Sequence, residues 1–177
     1  MEIKKTASRE VFRSRWMTLR EDTIERPSGY QGYYGVVEKP DFAVIAAIEG
    51  DQIYLVQQYR YPVQARFWEL PQGGCETAQL TPEELAATEL REETGLQASE
   101  MIHVGHLFLA YGFCTQGYDL FLAKGLTQGD NALEPEEEGL ICQSFAIAEV
   151  EQMILRGEIK DATTVAAFGL LRMKKLL

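Results

Sequence analysis

Apolar positions fall along this chain in continuous, alternating and helical patterns, and each predicts a different element. Residues 42–48, Phe-Ala-Val-Ile-Ala-Ala-Ile, are apolar without a break, as expected of a central strand covered on both faces. Gly50-Asp51 makes a tight turn, and residues 52–59 return as the second arm of a hairpin. Before them, residues 10–12, 16–24 and 33–37 are strand-like, the second with partial alternation, and Pro27-Ser28-Gly29 supplies a turn. A sheet this small buries little alone and needs a partner surface. After the central hairpin, residues 103–111 and 118–123 predict two strands around the loop 112–117, and residues 140–145 a further strand. The chain closes with two helical segments, 148–155 and 163–177, around a turn at Gly157. No internal repeat, low-complexity tract or domain linker interrupts this order.

The sharpest helix signal lies at residues 81–95. Thr81 is placed as N-cap, Pro82 fits the first helical position and Glu84 completes a Thr-x-x-Glu capping box. Gly95 stands where a helix stops on a left-handed residue. At roughly 100° per residue, Glu89, Glu92 and Glu93 share an arc of about 100°. Ala86, Ala87 and Leu90 occupy a neighbouring arc that can pack inward. Three acids on one face repel one another. A hard divalent cation such as Mg²⁺ would turn that repulsion into affinity. A plain solvated acidic face is the competing reading.

The stretch Glu89-Leu90-x-Glu92-Glu93-x-Gly95-Leu96, preceded by Gly74, resembles the Nudix box, the loop-helix-loop signature of Nudix hydrolases. The first half of the box departs from the pattern, with Leu80 where the family has Glu and Thr88 where it has Arg. Losing both members of an interacting pair can be nearly neutral where losing one is not. Gln58-Tyr59-Arg60, Trp68-Glu69-Leu70-Pro71 and the C-terminal segment resemble the ADP-ribose and nucleotide-sugar pyrophosphatase branch. Tyr111, where that branch carries Pro, and a missing loop acid depart from its ADP-ribose members.

The resemblance implies an α/β fold, the α/β/α sandwich with a mixed central sheet, carrying an N-terminal β-extension. It divides the chain at residues 1–40, through which relatives often form homodimers, and 41–177, the hydrolase domain. A sheet folding back on its own domain is the alternative for residues 1–40. The activity implied is hydrolysis of ADP-ribose or a nucleotide sugar to a nucleoside monophosphate and a sugar phosphate. Mg²⁺, with Mn²⁺ in its place, would be held by Glu89, Glu93, Glu138 and the Gln72 carbonyl, with Glu92 assisting. Alignment of the acidic run 134–138 makes Glu136 the base and leaves Glu137 open; a solvated loop tip is the alternative. Arg60 would contact a phosphate, and Tyr61 or Trp68 would line or stack on the base. Against that, Arg60 could pair with a nearby Glu and Trp68 could belong to the core.

Composition narrows the rest. The chain has 177 residues and a formal net charge of −10, which argues against unaided binding to nucleic acid or an anionic membrane. Cys75, Cys114 and Cys142 are odd in number and widely spaced, matching neither a disulfide framework nor a zinc pattern. With no signal peptide or membrane-length apolar run, a cytoplasmic protein is expected. His103 and His106, three apart on a strand, are expected on opposite faces as packing or surface residues. The other functional class is a Nudix-fold binding or regulatory module with weakened catalysis, which the altered box keeps open.

Overall fold

The computed structural model describes residues 2–74, 80–130, 132, 133 and 135–177, with the Glu136 side chain outside the described set. It divides into two compact units, one reaching to Asp41 and including Leu107–Tyr118, the other comprising Phe42–His106 and Asp119–Leu177.

The first unit holds a three-stranded antiparallel sheet in the order β1 (Lys4–Arg13), β2 (Thr18–Glu25), β3 (Gln31–Glu38). β2 is the inner strand, and Thr18, Asp22 and Ile24 on it are buried. Asp22 takes the Ser8 hydroxyl at 2.6 Å and pairs with Arg20 at 2.9 Å, so a nearly inaccessible carboxylate is compensated. β1 is much longer than the strand expected at residues 10–12. All ten of its residues are exposed, so neither face is hydrophobic enough to show a period of two. Pairing with β2 defines that strand. β3 also meets the loop 109–116, where Thr115 donates its N–H to Val37 O at 2.9 Å.

The second unit is built on a mixed sheet of order β10-β5-β4-β9-β8, with β6 paired to β5 and β7 to β4. Its strands are β4 (Phe42–Glu49), β5 (Gln52–Arg60), β6 (Ala65–Glu69), β7 (Gln72–Gly73), β8 (Leu96–Phe108), β9 (Gly117–Gln128) and β10 (Ile141–Ala146). The unbroken apolar run of β4 is explained by two covered faces. Ala43, Ile45 and Ala47 pack with Phe121 and Ala123 against Ala86 and Leu90 of α1 (Pro82–Thr94). The alternate residues Val44, Ala46, Ile48, Leu120 and Leu122 are also buried. The other helical layer is α2 (Ile147–Arg156) and α3 (Ala162–Met173), which bury Val150, Met153, Ala167, Phe168 and Leu171. Burying side chains of this size stabilises by about 1.5–3 kcal/mol each. The architecture is an α/β/α sandwich.

β8 begins at Leu96 rather than near His103. Residues 97–100 are polar or small, so only the neighbouring long strand β9 reveals them as sheet. Among the described residues no helix is long and apolar enough to cross a membrane.

Candidate active site

The helix α1 is punctuated as its sequence predicts. Thr81 N–H donates to Glu84 Oε2 at 2.8 Å, Glu84 N–H donates to Thr81 Oγ1 at 3.3 Å, and Gly95 adopts φ 72°. Capping fixes where the helix begins and ends, and packing of Ala86 and Leu90 in the core sets which way its acidic arc faces. Glu93 is 1% exposed, and its Oε2 accepts the N–H of Gln72 at 3.0 Å. Glu89 is half-buried and lies over Gly73, where an added Cβ would stand 2.2 Å from Oε2. Glu92 is turned aside and pairs with Arg91 at 3.3 Å.

Burial holds the Glu93 carboxyl well above the ordinary carboxylate range, and the charges of Glu137 and Glu89 push it further. The Gln72 N–H opposes them, while Glu69 adds to them. Such convergence of acids on a buried carboxyl is characteristic of functional sites. Among the described residues of the acidic run, Glu137, in the 3₁₀ turn Pro135–Glu137, has a charge that acts on Glu93, and Glu138 is exposed. The Glu136 side chain lies outside the described residues. Cys142 is exposed on β10; the atoms packed around its thiol, then the charge of Glu93, push it up to about 11.

β5 and β6 do not bring Arg60 and Trp68 together: in register with Ala65 and Gln57 respectively, they stand three pairs apart and on opposite faces of the ladder. The Arg60 guanidinium forms a close ion pair with Glu69, which also accepts from Gln58 Nε2 at 3.2 Å. Burial raises the Glu69 carboxyl above its usual range, and Arg60 partly offsets that. Arg60 itself remains 42% exposed, so pairing leaves part of the cation accessible. Trp68 is half-buried and meets Phe145 edge-to-face at 4.8 Å between centroids. Tyr61 is 78% exposed. The importance of Glu69 was missed in sequence, although its place between Trp68 and Leu70 in the quoted segment was a signal.

The two departures from the box lie outside the acidic cluster. Leu80 is 39% exposed, so no deeply buried charge is lost there. Thr88 lines a pocket of about 360 Å³ between α1 and the start of β8, shared with Arg91, Gln97 and Met101. The histidines behave differently from the opposite-face expectation. His103 Nε2 lies 2.7 Å from Asp119 Oδ1, and His106 Nδ1 lies 3.6 Å from Asp119 Oδ2. Alternation sets which way a Cβ points, not what the ring beyond it reaches.

Among the described residues no group of three or more His, Cys, Asp or Glu side chains is arranged to hold a metal ion. What they do provide is a carboxylate pair on α1 beside the β7 backbone, with a glycine where any side chain would displace Glu89. An all-oxygen donor set with mutually repelling acids fits a hard divalent cation. Fold and site together define an α/β/α protein with an acidic site suited to a hard divalent cation.

Comparison with known proteins gives the family. Residues 38–168 match the NUDIX domain, and residues 3–37 match the nucleoside diphosphate sugar hydrolase N-terminal domain. The chain belongs to the Nudix family and is a pyrophosphohydrolase of nucleoside diphosphate derivatives, a family that generally uses divalent metal ions. It is 37% identical over 150 residues to an ADP-ribose pyrophosphatase of Mycobacterium tuberculosis (strain ATCC 25618 / H37Rv), covering 84% of this chain and 72% of that protein. A methanol dehydrogenase activator of Bacillus methanolicus is 30% identical, with 99% and 96% of the two chains covered. The crystal structure of an ADP compounds hydrolase superposes with a TM-score of 0.86 at 20% identity, covering 98% of this chain and 94% of that one; this likeness concerns the fold.

Proposed function

We propose that the protein hydrolyses a nucleoside diphosphate sugar, with ADP-ribose the leading substrate, to a nucleoside monophosphate and a sugar phosphate in a Mg²⁺-dependent reaction. The observation that carries this is the juxtaposition of Glu89 and buried Glu93 with Gln72 and Gly73. The substrate assignment draws on the N-terminal match to nucleoside diphosphate sugar hydrolases and on relatives named ADP-ribose pyrophosphatases.

Glu89, Glu93 and the Gln72 carbonyl would hold Mg²⁺, or Mn²⁺ in its place, with Glu138 completing the set and Glu92 assisting from the flank. When bound, the cation would neutralise phosphate oxygens and make the attacking water more acidic. A carboxylate of the run Glu136–Glu138 would take the proton of the attacking water. Glu136 is the preferred base by alignment, Glu137 stays in play through its charge on Glu93, and single substitutions at 136, 137 and 138 separate the three. Arg60 meets a phosphate with its exposed edge while Glu69 holds its other side. Tyr61 or Trp68 would offer a ring surface to the base. The N-terminal region, residues 1–40, is the proposed homodimer contact. Its exposed Val11, Phe12 and Trp16 are the kind of surface an interface covers. We place the protein in the cytoplasm, without nucleic-acid or membrane partners, consistent with its acidic charge.

A Mg²⁺-dependent panel of ADP-ribose, other nucleotide sugars, dinucleoside polyphosphates and nucleoside triphosphates tests this, with products separated by chromatography. One compound yielding a nucleoside monophosphate and a sugar phosphate would support the assignment and name the substrate. A second reading, a regulatory module, is favoured by the relative named for activating a dehydrogenase. Thermal stabilisation by one nucleotide with no turnover of any would decide for it.

A further inference from the structure

The segment Leu70-Pro71-Gln72 donates a backbone N–H to Glu93, and it is held at successive residues. Leu70 N–H donates to Thr164 Oγ1 at 2.9 Å, Pro71 O accepts from Ile45 N–H at 2.9 Å, and Gln72 N–H donates to Glu93 Oε2 at 3.0 Å. Proline has no N–H of its own, so the amides on either side of it are the donors that set this segment's orientation. Thr164 is fully buried, and its hydroxyl donates in turn to Asp161 Oδ2 at 2.7 Å. Asp161 is the N-cap of α3, accepting Thr164 N–H at 2.7 Å, and the same Oδ2 lies 3.4 Å from Gln72 Nε2. One carboxylate thus reaches both the main chain's anchor and the side chain of Gln72. A helix cap needs only the first N–H contact; the Thr164 relay to Leu70 and the approach to Gln72 go beyond it.

We infer that Asp161 and Thr164 are positioning residues that fix the Leu70–Gln72 backbone, and through it the Gln72 carbonyl and Glu93 carboxylate, for metal binding. This rests on the metal role proposed above for Gln72 and Glu93. Thr164→Val keeps the shape but leaves Leu70 N–H without its acceptor inside the protein, and the backbone is free to turn. Loss of such supporting contacts commonly costs 10- to 100-fold in metal affinity.

The test is direct Mn²⁺ binding, read from the paramagnetic resonance of free Mn²⁺ without substrate, on the full chain and on Thr164→Val, Thr164→Ser, Asp161→Asn and Glu93→Gln. Thermal unfolding without metal checks that each variant is folded. The expected result is Mn²⁺ affinity lowered about tenfold or more in Thr164→Val. Thr164→Ser, which restores the hydroxyl, should stay within about threefold of wild type. Asp161→Asn retains a good helix cap and carries the test if Thr164→Val does not fold; it too should bind Mn²⁺ more weakly. Wild-type affinity in folded Thr164→Val or Asp161→Asn, with affinity lost in Glu93→Gln, overturns the positioning role and leaves the metal site standing. Unchanged affinity in Glu93→Gln overturns both.

Discussion

Gly73 lies beneath the carboxylate of Glu89 so closely that a Cβ at residue 73 would stand 2.2 Å from Oε2 and 2.5 Å from Cδ. Gly73→Ala would therefore displace Glu89, and because the obstructed group is the end of a side chain, the fold can absorb the shift. The expected outcome is a kcat lowered by about ten- to a hundredfold with stability changed by less than about 1 kcal/mol. Steady-state kinetics beside a thermal melt check it; wild-type turnover in Gly73→Ala would mean that Glu89 has no fixed task.

Glu93→Gln replaces a buried carboxyl by a neutral group of the same shape. Turnover should fall by about a hundredfold or more, while the metal-free protein should be at least as stable as wild type. The pH dependence has a defined sign. The folded pKa of Glu93 lies well above its usual value near 4.5, so the folded protein retains a proton that the unfolded chain releases. Metal-free stability should fall as pH rises from that usual value through the raised one. Glu69 shifts in the same direction and leaves a residual slope. Melting temperature against pH in the presence of a chelator should be flatter for Glu93→Gln.

Arg60→Ala removes both the proposed phosphate contact and the partner of buried Glu69. Since Arg60 is partly exposed, the stability loss should be about 1–3 kcal/mol, below that of a fully buried pair. Adding Glu69→Gln should return most of the stability but not the raised KM. A double-mutant cycle read in both quantities separates the two tasks. Recovery of KM with stability would leave Arg60 a purely structural residue.

Thr81→Ala breaks the capping box at the start of α1. A loss of about 1 kcal/mol is expected, seen as a melting point lower by roughly 2–4 °C. KM and kcat should change little, because Gly95 and the core contacts of Ala86 and Leu90 still fix the helix.

The sequence by itself determined the elements whose signals are local. The cap at Thr81, the stop at Gly95, the buried strand at 42–48 and the acidic arc of Glu89, Glu92 and Glu93 depend on residues within a few positions of one another. Tertiary structure decided how those parts were used. It buried Glu93 while turning Glu92 aside, set Gly73 under Glu89, and paired Arg60 with Glu69. It extended β1 and β8 through residues without a visible period, since a strand can be defined by its neighbour's hydrogen bonds. It also joined Asp161 and Thr164 to Leu70 and Gln72 across nearly a hundred residues. Spacing along a chain fixes which way a side chain leaves its own element, whereas the partner it meets is fixed by how the elements pack.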